Sequence, residues 1–543
     1  MEQLLSVFGY LSVVARGICL GLQSLLLGGI SFMLLVLRPA LGNGAGLIVP
    51  ERKIRKLLFY TASGMAGIQL LFAATNVSIL MSTVDLRFGE VIGAQFFVAS
   101  VLIIVASVAV AAMTRSGWPV SAAAPFALLI LIGSVTTSHA WSRLESRGVL
   151  TALALLHQAA VGIWVGGLPV LLIAIGATEE DASASLIARR FSRLALVGVA
   201  IVLLAGVGLS YFYVDAPNAA YGTAYGIMLL SKVALFSVLV AIGAMNKSLV
   251  DRLNLGSSRL LKLLRRNVEA EIGIGFTVIL TAASLTSQPP AIDLPNDRLN
   301  LAEVQSRYTP RWPRFSSPDV SQLSVPDRQL LKKQAESTGR AITYVPGSPP
   351  LKPETPEGKA WSEYNHNWAG LVVFAIGILA VASRSTRLKW ARHWPLIFIA
   401  LAVFILLRAD PENWPLGPNG FWQSFLEADV LQHRFFALLI VGFAIFEWRV
   451  QTGRSRSRAA AFVFPSVCAL GGALLFTHSH SLGNIKEETL VEWSHIPLAF
   501  FAVLAGWSRW AELRSTSGRK ALAWIWSVCF VMIGAVLMLY RES

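Results

Sequence analysis

The sequence carries little charge for its length. Of its 543 residues, 14% are Asp, Glu, Lys or Arg and 55% are hydrophobic. Soluble domains carry about 25% charged residues, so this composition excludes a water-soluble globular protein and indicates one that crosses a membrane many times. Acidic residues are fewer than basic residues, 31 against 46, which gives a net charge of +15. In such a protein we attribute the excess to loops and lipid contacts, and we expect no nucleic-acid partner.

Cysteine is also scarce. The three cysteines, Cys19, Cys468 and Cys529, lie inside apolar runs and form no CxxC pair. This excludes a disulfide framework and a thiolate metal cluster. The sequence also lacks the P-loop of NTPases, the HExxH zinc-hydrolase motif and the GxSxG nucleophile elbow. We therefore predict that the protein is not an enzyme.

Long apolar runs dominate what is present. About 20 apolar residues cross the hydrocarbon core of a bilayer, and fourteen runs approach or exceed that length. The predicted fold is an all-α, polytopic membrane helix bundle of about 14 transmembrane helices. The predicted spans are 8–37, 57–83, 91–113, 118–138, 149–176, 191–213, 223–246, 268–288, 367–383, 393–408, 430–448, 459–477, 493–511 and 521–540.

Basic residues predict the orientation. They cluster in alternate loops, as in Arg189, Arg190 and Arg193, and the loops between these clusters carry few. Because Lys and Arg accumulate on the cytoplasmic side, both termini are expected outside (N-out/C-out), in a multi-pass protein of a bacterial inner membrane.

One polar segment interrupts the apolar runs and suggests a domain organisation. Residues 289–366 contain half of the 24 prolines, and the lack of apolar periodicity favours an extended outer, periplasmic strap with one short helix near 326–336. The predicted domains are an eight-helix membrane domain at 1–288, this segment, and a six-helix membrane domain at 367–543.

The fifth apolar run contains the most informative stretch, from His157 to Pro169. A histidine inside a membrane is costly, so a functional role is the first hypothesis. Trp164 follows two helical turns later and shares its face. Gly166 and Gly167 admit a closely packed helix or a bulky group. The alternative is a packing histidine bonded to a neighbouring carbonyl.

The histidines favour one side of the membrane. With the orientation above, seven of the eight lie at the outer face or in the outer half, and only His393 lies inside. Imidazoles suit borderline metals such as copper or zinc. The candidate metal ligands are His157, His478, His480, His495, His433, His366 and His139. The opposing interpretation is that polar residues gather at helix ends and that a short HxH arises by chance.

Three further residues are candidates for a transport path or its structural support. Trp164 belongs to the central stretch, Lys232 lies in the middle of the seventh span, and Met81 lies near the outer surface. Lys232 is interpreted as a gating residue or, preferably, as half of a structural ion pair. Met81 offers a thioether to Cu(I) or is a lipid-facing or core residue.

Several short motifs resemble the copper resistance protein D (CopD) family. His157 to Pro169 resembles the family pattern H-x6-W-x-G-G-L, and the resemblance is close over about 149–290. Further matching pieces are Arg190–Ala195, Thr223–Gly226, Leu229–Lys232, Asn246, Leu264–Glu271 and Pro289-Pro290. Trp361–Gly370, His478-Ser479-His480 and Glu492–Leu498 resemble long members of the family.

The resemblance implies copper handling in the inner membrane, with import from periplasm to cytoplasm as the expected activity. It also implies a possible partner, a small periplasmic copper-binding protein of the CopC type, which would be a separate chain. The copper is Cu(I) or Cu(II). Two alternatives stay open: a haem-binding electron carrier or reductase with axial histidines, and a copper chaperone or sensor that moves no ion across the membrane.

Overall fold

The computed structural model is built from helices. It describes residues 2–42, 45–83, 86–253, 258–320, 323, 356–384, 387–411, 413–422, 425, 428–455, 457–476, 485–514 and 519–542. No strand occurs in these ranges. The all-α class predicted from the apolar runs is confirmed. Helices are the expected structure, because a backbone inside lipid must satisfy its hydrogen bonds within each segment.

Each of the fourteen predicted spans overlaps a helix, although the boundaries move by several residues. Helices α1 to α8 are Tyr10–Leu41, Ile48–Ser82, Gln95–Arg115, Val120–Thr136, Arg147–Ala177, Asp181–Tyr213, Ala224–Asp251 and Ser258–Leu285. Helices α9 to α14 are Pro356–Ala382, Lys389–Arg408, Ala428–Gln451, Ala460–Leu475, Ile485–Arg514 and Lys520–Met538.

Eleven of these helices are long and apolar enough to cross a membrane, counted over the described ranges. Two apolar helices are shorter, α4 and α12. The chain is therefore a multi-pass membrane protein. The total of fourteen spans and the outward orientation of both termini stay predictions.

The chain divides into two compact units. One contains Leu11–Tyr221 and Tyr225–Asn296, and so holds nearly all of α1 to α8. The other contains Met1–Tyr10, Gly222–Ala224 and Asp297–Ser543, and so holds α9 to α14. We call them the N-terminal unit and the C-terminal unit. The predicted domain boundaries stay predictions.

The N-terminal unit is organised by a close crossing of α1 and α5. A Cβ atom on Gly166 would overlap the carbonyl of Ser24, and one on Gly28 would overlap the backbone at Gly166 and Gly167. The prediction that Gly166 and Gly167 admit a neighbouring helix is confirmed. Small residues allow this because van der Waals packing, rather than the hydrophobic effect, drives helix association in lipid.

The central stretch also departs from a regular α-helix. Within α5, Gly162–Gly166 forms one π-helical turn, and a second one lies at Met33–Leu37 in α1. Such turns insert one residue into the helix and are frequent at functional sites. The α-helical periodicity of the sequence did not predict this turn.

The C-terminal unit has an aromatic core. Trp394 contacts Phe464 with ring centroids 5.5 Å apart and Trp526 with centroids 6.0 Å apart. All three side chains are fully buried. Aromatic pairs at these distances add attraction beyond the burial of their surface.

The polar segment is more ordered at its start than we predicted. Instead of an extended strap, Leu301–Tyr308 is a helix whose first turn is capped by Asn300 and Glu303. Asn300 and Glu303 form a reciprocal capping box, and their spacing of three residues is visible in the sequence. The short helix expected near 326–336 lies outside the described residues.

Candidate functional site

A cavity of about 420 Å³ lies among α1, α5, α6, α7 and α8 of the N-terminal unit. Its lining is mostly apolar and includes His157, Trp164 and Lys232. His157 and Trp164 therefore face one space, as their spacing of two helical turns predicted. Membrane-buried cavities with a few polar groups are the usual sites of ligand or ion binding.

His157 has one ring nitrogen without a partner in this cavity. Its Nδ1 atom is buried and has no hydrogen-bond partner among the described residues, while the backbone of Val202 lies close enough to interact with the ring. Gly206 on α6 lies beside the imidazole, since a Cβ there would be in ordinary contact with its Cε1 at 3.5 Å. An unpaired buried ring nitrogen is available to a ligand.

A second histidine lines the same cavity. His139 begins the short helix His139–Ser142 between α4 and α5, and its buried Nε2 also has no hydrogen-bond partner in the described part of the chain. Burial, followed by the positive charge of Arg16, lowers the pKa of His139. The imidazole is therefore neutral at pH 7 and has a free nitrogen. The structure thus brings together two of the seven candidate ligands here.

Two cations share the cavity with these histidines. The guanidinium of Arg16 donates to the carbonyl of Thr137 at 3.1 Å, and Lys232 also lines the cavity. Neither side chain forms an ion pair with a described residue. Among those residues, the interpretation of Lys232 as half of a structural ion pair is therefore wrong. A bare copper cation would meet two like charges in this space.

A buried carboxyl group anchors Trp164 at the edge of the cavity. Its Nε1 donates to Glu271 Oε1 at 3.1 Å, and Asn246 Nδ2 donates to Glu271 Oε2 at 2.6 Å. The three side chains belong to α5, α8 and α7, respectively. Glu271 lies in the middle of α8 and joins the three helices.

A haem bound by His157 would need room beside the glycines of α5. That room is filled by protein, since Gly162 lies against Leu27, Gly166 against Ser24, and Gly167 against the ring of Phe191. These residues provide close helix packing rather than a slot for a macrocycle.

A second cluster of histidines lies in the C-terminal unit. His366 on α9 and His495 on α13 have ring centroids 6.4 Å apart. The ring of Tyr540 stacks on His366 with a centroid distance of 3.9 Å and lies 6.3 Å from His495. This pair was among the predicted ligands, and no feature of the sequence indicated that the two imidazoles would be neighbours.

Hydrogen bonds orient both rings of this pair. His366 Nδ1 lies 2.8 Å from the carbonyl of Ser362, and His495 Nδ1 lies 2.8 Å from the carbonyl of Val491. A carbonyl can only accept, so each Nδ1 donates and each Nε2 keeps its lone pair. Histidine ligands of metals are oriented in this way, with the second nitrogen bonded to a carbonyl.

Charged groups surround the pair. Tyr540 receives a hydrogen bond from Arg307 at 3.1 Å and donates one to Glu542 Oε1 at 3.0 Å. Glu492 precedes His495 by one helical turn, and both of its carboxyl oxygens are buried without a hydrogen-bond partner among the described residues. Glu492 was not among the predicted ligands, because it precedes the predicted span 493–511 and only the structure shows that it is buried.

The remaining candidates do not join either cluster. His433 pairs with Asp410 Oδ1 at 2.8 Å, and Met81 is exposed, as expected of a lipid-facing residue. His478 and His480 lie outside the described residues. Within the described ranges, no group of three or more His, Cys, Asp or Glu side chains is arranged to hold a metal ion. The seven predicted ligands therefore do not form one large site there.

Comparison with known proteins gives two matches. Residues 185–285 match the family model of copper resistance protein D. The chain is also 32% identical over 164 residues to the copper transport protein CutJ of Bacillus subtilis (strain 168). That alignment covers 30% of this chain and 29% of the relative's length.

No solved structure matches the chain. The family match contains α7, α8 and most of α6 but begins after His157 and Trp164, so the roles of those two residues stay predictions. The match lies within the 149–290 region on which the resemblance was drawn. Over residues 185–285 that resemblance is confirmed by the match to the family model.

Proposed function

We propose that the protein transports copper across the inner membrane, in the direction of import from periplasm to cytoplasm, and is not an enzyme. The copper resistance protein D region and the similarity to a copper transport protein support the choice of ion. The eleven helices of the described ranges that are long and apolar enough to cross a membrane are consistent with a transporter.

The capture site that the geometry supports best is the pair His366 and His495. The single observation that carries this choice is that both Nδ1 atoms are bonded to carbonyls, which makes Nε2 the metal-binding nitrogen of each ring. Two nitrogens, each about 2.0 Å from one ion, suit a ring-centroid separation near the observed 6.4 Å. Imidazole is a suitable ligand for copper, and Cu(I) accepts two ligands.

Electrostatics favour this pair over the cavity of the N-terminal unit. Near His366 and His495, Glu542 offsets the charge of Arg307. In the cavity, no carboxyl group lines the wall and two cations do. We therefore assign the first binding step to the C-terminal unit. A separate periplasmic protein of the CopC type would deliver copper to such a site.

The test is cell-associated copper, measured by mass spectrometry at matched protein levels. Import predicts that the wild type raises cellular copper above the empty-vector control. The double change His366→Ala/His495→Ala is expected to return it to that control, whereas His393→Ala, whose ring accepts a hydrogen bond from Trp448 elsewhere in the unit, should retain the gain. Export would be indicated by a fall below the control.

Two further arms address the histidines of the sequence prediction. His157→Ala and His478→Ala/His480→Ala are compared under the same conditions. If the wild type leaves cellular copper unchanged, the transport proposal fails, and a chaperone or sensor that binds copper without moving it takes its place.

A further inference from the structure

The cavity of the N-terminal unit contains cations without a carboxylate to pair with them. Arg16 and Lys232 line it, and no Asp or Glu of the described ranges does. His139 Nε2 and His157 Nδ1 have no partner among the described residues. Charges buried in a membrane are expensive unless they are paired. The polar part of this cavity is therefore complementary to an anionic, oxygen-bearing group.

The rest of the wall is suited to a hydrocarbon chain. The cavity measures about 420 Å³, within the roughly 300–1,000 Å³ of pockets that bind organic ligands. Its apolar wall includes Val161, Val278 and Ile279. A small inorganic anion would pair with the cations but would leave the apolar part of the cavity unfilled.

The cavity also reaches the lipid-facing surface. Leu203 and Val207 on α6 and Val233 on α7 line the cavity, yet each exposes more than half of its side chain. Residues that line the cavity and are also exposed lie at its opening, so the cavity opens between α6 and α7. In a membrane-spanning unit this opening faces the hydrocarbon of the bilayer.

We propose that this cavity binds an anionic amphiphile from the membrane, a molecule with one apolar chain and one anionic oxygen group. The chain enters between α6 and α7 and occupies the apolar part. The anionic group pairs with Lys232 and Arg16. A free fatty acid and a lysophospholipid both present this chemistry, and the site is independent of copper capture at His366 and His495.

Binding is tested with the full-length protein in phosphatidylcholine nanodiscs, using cis-parinaric acid as a fluorescent probe. Energy transfer from tryptophan reports occupancy, since Trp164 lines the cavity. Bound probe is displaced by oleate, by lysophosphatidic acid or by uncharged oleyl alcohol. The site predicts displacement by at least one anion at concentrations at least tenfold lower than by oleyl alcohol. Which anion is more effective identifies the headgroup as a carboxylate or a phosphate.

Variants distinguish binding of the probe at a specific site from partitioning of the probe into the bilayer. Lys232→Met should weaken probe binding at least tenfold, whereas Lys232→Arg keeps the charge and should retain it. Lys247→Met is the matched control, because Lys247 lies on the same helix but pairs with Asp251 outside the cavity. Equal displacement by oleate and oleyl alcohol, or unchanged binding by a folded Lys232→Met variant, would overturn the proposal. Size-exclusion profiles establish folding.

Discussion

Trp164 donates a hydrogen bond of 3.1 Å to Glu271, a residue 107 positions later in the chain. Both side chains are almost fully buried. The bond joins α5, which carries His157, to α8. Because Asn246 bonds the other oxygen of the same carboxyl group, α7, which carries Lys232, is held to the same point. The wall of the cavity is thus fixed by one polar junction.

Removing the donor at this junction should destabilise the N-terminal unit. Trp164→Phe keeps an aromatic ring but leaves Glu271 Oε1 without its partner. Leaving a buried polar group unsatisfied costs about 1–3 kcal/mol. We expect a loss of that order in the free energy of unfolding, measured by denaturant titration in detergent micelles. Trp118→Phe is the control, since Trp118 is 56% exposed. Equal stability of the two variants would mean that the junction contributes nothing.

The crossing of α1 and α5 should be intolerant of a single methyl group. In Gly166→Ala the new Cβ would overlap the carbonyl of Ser24, and overpacking of this kind costs about 1–3 kcal/mol. Gly148→Ala lies in the same helix with nothing within 4 Å of its Cβ. It should be neutral or slightly stabilising, because Ala favours helices.

The measurement for this pair is thermal unfolding followed by size-exclusion chromatography of the heated samples. We expect Gly166→Ala to lose the monodisperse peak at a lower temperature than the wild type, and Gly148→Ala to keep it. A Gly166→Ala variant as stable as Gly148→Ala would show that the two helices separate without cost.

His139 should make stability depend on pH. Burial and Arg16 lower its pKa in the folded chain, whereas the unfolded chain binds the proton near pH 6.5. Below that pH the unfolded state binds more protons than the folded state. The stability that neutral His139 provides is therefore fully present above pH 6.5 and declines as the pH falls.

The change His139→Asn removes this titration. Between pH 8 and pH 5, the unfolding temperature of the wild type should fall more steeply than that of His139→Asn. The difference in slope should correspond to at most one proton per chain. Parallel curves would show that His139 is protonated equally in both states.

The sequence predicted those features that depend on one segment. The apolar runs indicated the helices, and the spacing of His157 and Trp164 indicated that they face one space. The glycines of α5 indicated a close neighbour, although not that Ser24 and Gly28 of α1 would provide it. The spacing of Asn300 and Glu303 indicated a helix start in the segment that we had predicted to be an extended strap.

Features that join distant segments were beyond such reasoning. Glu271 reaches Trp164, and His495 lies beside His366, only because of how the helices pack. One sequence read alone does not fix that packing, because many arrangements bury apolar helices equally well in lipid. The π-helical turn at Gly162–Gly166 was missed for a related reason, since its extra residue is accommodated by contacts with α1.

The most direct test of copper transport is uptake of Cu(I) into liposomes that contain the purified full-length protein. We predict time-dependent accumulation with the wild type and with His393→Ala, and accumulation at the protein-free rate with His366→Ala/His495→Ala. Wild-type liposomes that take up copper no faster than protein-free liposomes would contradict transport. A double variant as fast as the wild type would contradict capture at His366 and His495.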